Sequence, residues 1–422
     1  MEQFFHSVML DKELCKGCIN CIKRCPTEAI RVRGGKAQIT AERCIDCGEC
    51  IRICPHHAKK AIYDKLSVLE NYRYTIALPA PSLYGQFNNL EDVDIVLNAL
   101  LKMGFDQVFE VAKAAELVSD ISRHIMSEGR VEKPVISSAC PTVVRLIRVR
   151  FPELIDHVLP LNAPIDVAAK LARREALAQH PELKPEDIGV IFISPCPAKV
   201  TAVKMPLVSE KSDIDAVVAI SDVYPKLISY MEDVDSRPEE MEELSSAGKI
   251  GVSWASSGGE AAALLGDNYL AADGIENVIK VLEDLEDDKF TDLDFVELNA
   301  CSGGCVGGVL TVENPYVAKA RLKKLRKYLP VAMNHAEGLI PEIQWDKELE
   351  YASVLSLDDD FQAALHKMNE LERIAGDLPG LDCGSCGAPS CRALAEDVVR
   401  GLAKESDCIM KLLRDREGEQ NR

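Results

Sequence analysis

The sequence predicts a central α/β domain flanked on both sides by small cysteine-built modules, and three observations carry that reading. Short β-branched runs, such as residues 135–136, 188–193 and 216–220, alternate with amphipathic stretches from residue 74 to about 330, the pattern of buried parallel strands and covering helices. One four-cysteine run occurs twice within residues 1–58, and four more cysteines lie beyond residue 380. The three regions differ enough in composition to be separate folding problems.

With 422 residues the chain has room for two to four domains, at about 150 residues each. Hydrophobic content of 47% with 28% charged residues is that of a globular protein with a sizeable core. The formal net charge of −19 disfavours nucleic acid or an anionic membrane surface as a partner. No apolar run approaches the ~18 residues of a membrane span, and Glu2 and His6 interrupt the start where a secretory signal would lie. A cytoplasmic location is therefore expected. In a reducing compartment sixteen cysteines are metal ligands before they are disulfides.

The first module, residues 1–58, carries Cys15-x2-Cys18-x2-Cys21-x3-Cys25-Pro26 and then Cys44-x2-Cys47-x2-Cys50-x3-Cys54-Pro55. Zinc knuckles or a disulfide scaffold need no such repeat closed by proline. The run resembles a bacterial two-cluster ferredoxin, an α+β fold in which the fourth cysteine of each run ligates the other cluster. The resemblance implies that Cys15, Cys18, Cys21 and Cys54 hold one 4Fe-4S cube, and Cys44, Cys47, Cys50 and Cys25 the second. His56-His57 reads as a solvated pair, since every iron is already supplied with thiolate. Residues 59–73, with Ile62, Leu66 and Leu69 at helical spacing, are expected to form a helical linker.

Residues 74–345 are the α/β domain. A buried strand opens at Tyr74, and a helix over 89–102 is expected with an Asn89 cap and a stop at Gly104. A strand over 107–111 and helices over 114–127 and 142–151 follow, then strands over 188–193 and 216–220. The acidic stretch 231–244, broken by Pro238, reads as surface. Ser256-Ser257-Gly258-Gly259-Glu260 reads as a glycine turn or a plain loop. The helix over 315–328 carries six Lys and Arg, which read as a solvated face. Residues 346–376 form a bridge with one helix over 360–374.

Within this domain Cys301 and Cys305 lie on a backbone loosened by Gly303, Gly304, Gly307 and Gly308 and can wrap half of an iron-sulfur cube. Cys140 and Cys196 each close a β-branched run, so strand ends bring them to one crevice. These segments resemble the three signature motifs of FeFe-hydrogenases. The resemblance implies an H-cluster: a 4Fe-4S cube on Cys140, Cys196, Cys301 and Cys305, with Cys305 bridging to a diiron subcluster that carries CO and CN ligands. It also implies that Lys199 hydrogen-bonds a cyanide and that Ala80-Pro81-Ser82 contacts the other diatomic ligands.

The chain departs from the family at its proton route. Ala139 stands where a second cysteine hands protons to the diiron site, and Ile121, Ser122, Ile125 and Ala202 stand where relay acids are expected. Ser194 and Asn299 replace two methionines that pack on the diiron unit. Losing a positioned acid–base group typically costs about 10²- to 10⁴-fold. The combination resembles the sensory branch of the family and implies a low-turnover hydrogenase that oxidises H2 reversibly to protons and electrons and reports on hydrogen or redox state. Expected partners are H2 and protons, a redox partner such as ferredoxin or a signalling protein, and diiron maturation enzymes; a homodimer is allowed for. Two other readings stay open. One is a bidirectional, ferredoxin-linked hydrogenase using water, Ser138 or another group as relay. The other is a non-catalytic iron-sulfur assembly or electron-transfer protein.

The last module, residues 377–422, holds Cys383-x2-Cys386-x4-Cys391-x16-Cys408 beside an alanine- and leucine-rich helix. It resembles the small helical 4Fe-4S domain appended to corrinoid and electron-transport iron-sulfur proteins, with zinc the alternative occupant. The resemblance implies a third accessory cube and a candidate electron output.

Overall fold

In the computed structural model, which describes residues 5–336 and 343–420, the chain divides into two units: Ile62–Tyr351, and the residues up to Ala61 together with those from Ala352 onward. The first and last cysteine modules thus belong to one unit rather than two.

In the smaller unit, β1 (Val8–Leu10), β2 (Ile30–Arg33), β3 (Lys36–Ile39) and β4 (Lys59–Ala61) form two antiparallel pairs, β1 with β4 and β2 with β3. The β2–β3 hairpin turns at Gly34-Gly35, both with positive φ, which suits the right-handed twist of the strands. The core here is slight: Val8, Ile22, Ile30, Ala37 and Ala58, together with the thiol-bearing Cys15, Cys21 and Cys50. A core of this size needs a staple. The tail contributes the helix Phe361–Asp377, whose Leu371 and Ile374 pack with Leu394 of the helix Cys391–Val399.

One sequence expectation is corrected in this region. The helical linker over 59–73 does not form. Lys59 opposes Leu10 in the β1–β4 ladder, and the later part, Leu66–Asn71, is a 3-10 helix whose Leu66, Val68 and Leu69 pack on the core of the larger unit. Pairing with β1 satisfies backbone groups that an isolated helical turn would leave open. The bridge over 346–376 is helical only from Phe361, where the Asp360 carboxylate accepts the Ala363 N–H at 2.8 Å as N-cap.

The larger unit is built on two parallel sheets. β5 (Tyr74–Pro79), β6 (Gln107–Val108), β8 (Ile188–Ser194) and β9 (Ala216–Ala219) stand in the order β6-β5-β8-β9; β7 (Val135–Ile136), β10 (Tyr269–Asp273) and β11 (Phe295–Asn299) stand in the order β10-β11-β7. β8 is buried along its whole length, as a strand covered on both faces must be. Asp92, not Asn89, caps the helix Val93–Lys102, because Asn89 has positive φ and leaves the chain three residues short of the helix. The helix Val111–Ser127 begins earlier than expected because β6 stops at Val108. β10 was not anticipated: Tyr269 is exposed and the strand lies at a sheet edge, so its hydrophobic pattern is weak. The chemistry-bearing residues all follow the carboxyl ends of β5, β7, β8 and β11.

Phe192 lies at the middle of β8 with no exposed surface. Phe192→Ala is expected to cost about 3–5 kcal/mol of stability. Denaturant titration of the two proteins checks it, and a loss below about 1 kcal/mol would mean that β8 is not the packing centre.

Candidate functional site

In the larger unit Cys140 and Cys196 each sit immediately before a proline that opens a helix, Pro141–Arg150 and Pro197–Lys204. Proline is tolerated there because its missing N–H would have no helical partner, and the preceding cysteine is held extended. β7 pairs with β11 through Val135 opposite Phe295, which carries Cys140 toward the loop after β11. That loop is tied to the Cys196 loop by a 2.9 Å hydrogen bond from the Leu310 N–H to the Pro195 carbonyl. A side chain on Gly308 would begin 2.1 Å from the same carbonyl, so only glycine permits the approach. Gly304, at φ +90, lies against the Ser256-Ser257 backbone, and the Ser257 N–H donates to Gly303. The glycine turn is thereby part of the site rather than a plain loop.

These contacts gather the thiols. Burial pushes the Cys196 thiol up to about 12, opposed by the Lys199 ammonium and reinforced by Cys305 and Cys140. Cys305 is raised for the same reasons, with burial first. Cys301 begins the same loop, its carbonyl accepting the Gly304 N–H at 3.0 Å. Lys199 is 7% exposed. Burial opposes its charge, but Cys305, Cys196, Cys140 and Asp166 together outweigh that and hold its ammonium above the usual lysine range. Several buried thiols around one buried ammonium form a charge-matched set for an anionic cluster.

The surrounding residues fit a ligand beyond the thiols. The Ser82 hydroxyl, in the fully buried turn Pro81–Gln86 after β5, has no hydrogen-bond partner among the described residues; neither does that of Ser256. Buried hydroxyls left open cost about 1–3 kcal/mol unless something occupies them. Ser194 is engaged locally, donating to the Cys196 carbonyl at 2.9 Å, and the Asn299 amide donates to Glu297 at 2.7 Å. Ala139 presents only a methyl, and its carbonyl accepts from Lys199 at 3.4 Å.

The substitute relay residue expected at Ser138 is turned elsewhere, its hydroxyl donating to the Leu161 carbonyl at 2.8 Å. Its neighbour Ser137 donates to Glu260 at 2.6 Å. Glu260 and Glu297 are both buried, and burial with their mutual repulsion raises Glu260 well above the usual carboxylate range. Glu297 is held by the Gly258 and Ala261 N–H groups. Ile121 and Ile125 lie in the apolar core and Ser122 donates to Val118, so no acid occupies those positions. On the same helix Glu116 is consumed by the backbone N–H groups of Gly248, Met333 and Asn334. Asp166 faces a cavity lined also by Ser138, Lys199, Arg145 and Trp345, and burial pushes its carboxyl up to about 6. Sequence reading missed the Ser137–Glu260 pair; the only signal was an acid next to the Gly258-Gly259 turn.

In the smaller unit the thiols of the two runs lie near enough to act on one another. Burial raises Cys21 to about 11, Lys59 opposing and Cys18, Cys15 and Cys54 adding to it. Cys47 is raised by burial and by Cys25, Cys50 and Cys44. The two halves also repeat one device: the Ala29 N–H donates to Cys25 sulfur at 3.2 Å and the Ala58 N–H to Cys54 sulfur at 3.3 Å. Each set has the four thiols a cube takes. Lys59, 3% exposed and without a hydrogen-bond partner for its ammonium among the described residues, acts on Cys21 of one set and Cys50 of the other. His56 and His57 are exposed. Cys383, Cys386, Cys391 and Cys408 line one small cavity in the tail.

Fold and thiols together define an iron-sulfur redox protein whose central domain gathers its ligands from parallel strand ends. Residues 73–270 and 266–309 match the iron-only hydrogenase large subunit, C-terminal domain, and the chain belongs to that family. Residues 7–55 match a 4Fe-4S dicluster domain and residues 378–410 a putative Fe-S cluster domain. Iron hydrogenase 1 of Clostridium pasteurianum is 24% identical over 311 residues, 60% of this chain and 53% of that protein. The periplasmic Fe hydrogenase large subunit of Nitratidesulfovibrio vulgaris is 28% identical over 213 residues, 46% of this chain and 50% of that one. The chain thus spans about half the length of these curated relatives. Among solved structures, the apo FeFe-hydrogenase HydA1 from Chlamydomonas reinhardtii aligns with a TM-score of 0.45 at 16% identity, over 67% of this chain and 95% of that one. No helix among the described residues is long and apolar enough to cross a membrane.

Removing the Lys59 charge is expected to lower the potentials of both ferredoxin cubes in Lys59→Gln, by about 60 mV or more each, a tenfold change in a one-electron equilibrium. Redox titration followed by EPR checks it. A shift confined to one cube would show that the ammonium does not serve both.

Proposed function

We propose that the protein is a slow FeFe-hydrogenase that senses hydrogen or redox state, oxidising H2 reversibly to protons and electrons. The observation that carries the reading is the pairing of an intact ligand pocket with a missing proton donor: Lys199, the open Ser82 hydroxyl and the buried thiols on one side, and the Ala139 methyl on the other. In this reading Cys140, Cys196, Cys301 and Cys305 would hold the cube, and Cys305, Pro81, Ser82, Ser194 and Asn299 would line the place of the diiron unit. When bound, that unit supplies the splitting and joining of H2.

The chain's own residues do the rest. Lys199 anchors an anionic ligand by charge, Ser82 offers a hydroxyl, and the closed loops exclude water from the thiols. Proton movement falls to Ser137 and Glu260, since the Ser138 hydroxyl is committed to Leu161. A carboxyl raised by burial keeps its proton at neutral pH and can give it up singly, though from a less favourable place than the missing thiol. Electrons leave by the accessory cubes to a redox or signalling partner. The assembly-protein reading has no use for Lys199 and an open Ser82 hydroxyl.

Infrared spectra of protein matured with the diiron assembly enzymes are expected to show carbonyl and cyanide stretches, with about eighteen irons per chain, four per cube plus two. Spectra without those bands, at about sixteen irons, would favour an assembly or carrier protein. In the matured protein Ala139→Cys is expected to raise H2 evolution toward the ~10²-fold that a positioned acid–base group contributes. Glu260→Gln should lower what turnover there is. Because Glu260 titrates above the usual carboxylate range, its proton is present at low pH and lost as pH rises through that raised value. The wild-type rate should therefore fade on the alkaline side, and Glu260→Gln should flatten that limb. An unchanged pH profile in Glu260→Gln would remove Glu260 from the route.

A further inference from the structure

The tail module and the ferredoxin module share one unit, and the contacts between them are specific. The Val32 N–H of β2 donates to the Gly387 carbonyl at 2.8 Å, and Arg33 donates to the Cys386 carbonyl at 3.0 Å. The Lys23 ammonium donates to the Pro389 carbonyl at 2.7 Å and also to that of Asp382. Asp397, 4% exposed, accepts from Arg31 at 2.8 Å and Arg33 at 2.5 Å, while Glu396 pairs with Arg43 and Arg400. A buried carboxylate shared by two arginines, beside a half-buried one paired with two more, fixes geometry more firmly than exposed ion pairs do.

The docked surface is the cluster-binding loop itself on both sides. A side chain on Gly384 would begin 3.4 Å from the side chains of Ile19 and Lys23, so the backbone beside Cys383 lies against the residue that follows Cys18 and the one two after Cys21. Summing the bonds between them puts the Cα atoms of Cys18 and Cys383 at most about 15 Å apart. On Gly387, at φ +83, a side chain would begin 2.0 Å from the Val32 carbonyl, so this contact admits only glycine.

We infer that the tail cube is a direct one-electron partner of the ferredoxin cube held by Cys15, Cys18, Cys21 and Cys54, the two modules forming a fixed three-cluster wire. The step is a bare electron transfer. The Cys15-side cube is oxidised by one electron, the tail cube is reduced by one, and no bond or proton changes. The electron comes from H2 under the function proposed above, or from dithionite in the test. The inference needs cubes on both cysteine sets but not the diiron unit, so it can fail or hold separately from hydrogenase activity.

The test uses the full-length chain with reconstituted clusters and without diiron maturation, reduced with dithionite and examined by EPR. Cys391→Ser with Cys408→Ser removes the tail cube. The difference between wild-type and this variant is expected to carry the splitting of interacting spins, and a simple unsplit signal would overturn the proposal. Gly387→Val keeps all four tail thiols; it should retain its iron and lose that splitting. Should Gly387→Val fail to retain iron, Asp397→Asn, which weakens the Arg31 and Arg33 anchors, serves in its place, and splitting that persists at full strength after docking is lost would overturn the inference. In Lys23→Gln, redox titration should move the tail cube and the Cys15-side cube together to lower potential, with the Cys44-side cube moving less. A shift of the tail cube alone would break the link.

Discussion

Everything in the larger unit depends on bringing half-buried thiols together around one buried ammonium. A single buried thiolate is unfavourable, and several near one another repel. The fold meets that difficulty by geometry: the thiol-bearing loops follow parallel strands of two sheets, and glycines let those loops touch at the backbone. Lys199 then supplies one fixed positive charge, held by the thiols that it steadies. The ligand set is thus stable only as a whole, and a cluster is what completes it.

The smaller unit solves the same problem with less material. Its apolar core is too slight to order the loops alone, and the thiols themselves form part of it. Its counter-charge is again a lysine, Lys59, placed on β4 at the junction of the two thiol sets. In both units a buried ammonium lies among thiols. Under the function proposed above, that placement makes each lysine a determinant of cluster potential.

Much of this was legible in the sequence because metal ligation imposes local spacing. The duplicated four-cysteine run marked the dicluster module, and proline after Cys140 and Cys196 marked strand-to-helix corners that the structure contains. What the sequence hid was set by tertiary contact. Residues 59–61 carry no strand signature, and only β1 makes them one. β10 is an exposed edge whose pattern is too weak to read. Ser138 and Ser137 are indistinguishable as letters, and their roles separate only because the Leu161 carbonyl meets one and Glu260 the other. The union of the first and last modules rests on Arg31, Arg33 and Arg43 facing Asp397 and Glu396 across more than 350 residues of chain, which no local pattern could announce.

At the positions where relay acids were expected the helix carries Ile121, Ser122 and Ile125, and the fold is kept. Ile121 and Ile125 fill the core between the Val111–Ser127 helix and its neighbours, which is a gain in packing. The acids that remain on that helix, Glu116 and Asp120, are spent on the backbone N–H groups of Gly248, Met333, Asn334 and Ala336. An acid bonded to several backbone donors has its oxygens committed to them. Glu260 is in the opposite condition, with one serine donor, a second carboxylate beside it and burial favouring the neutral form. Under the function proposed above, the proton-bearing acid lies at the glycine turn rather than on the helix, and a site served by one acid from that side should exchange protons at a different pace from one served by a continuous line of them.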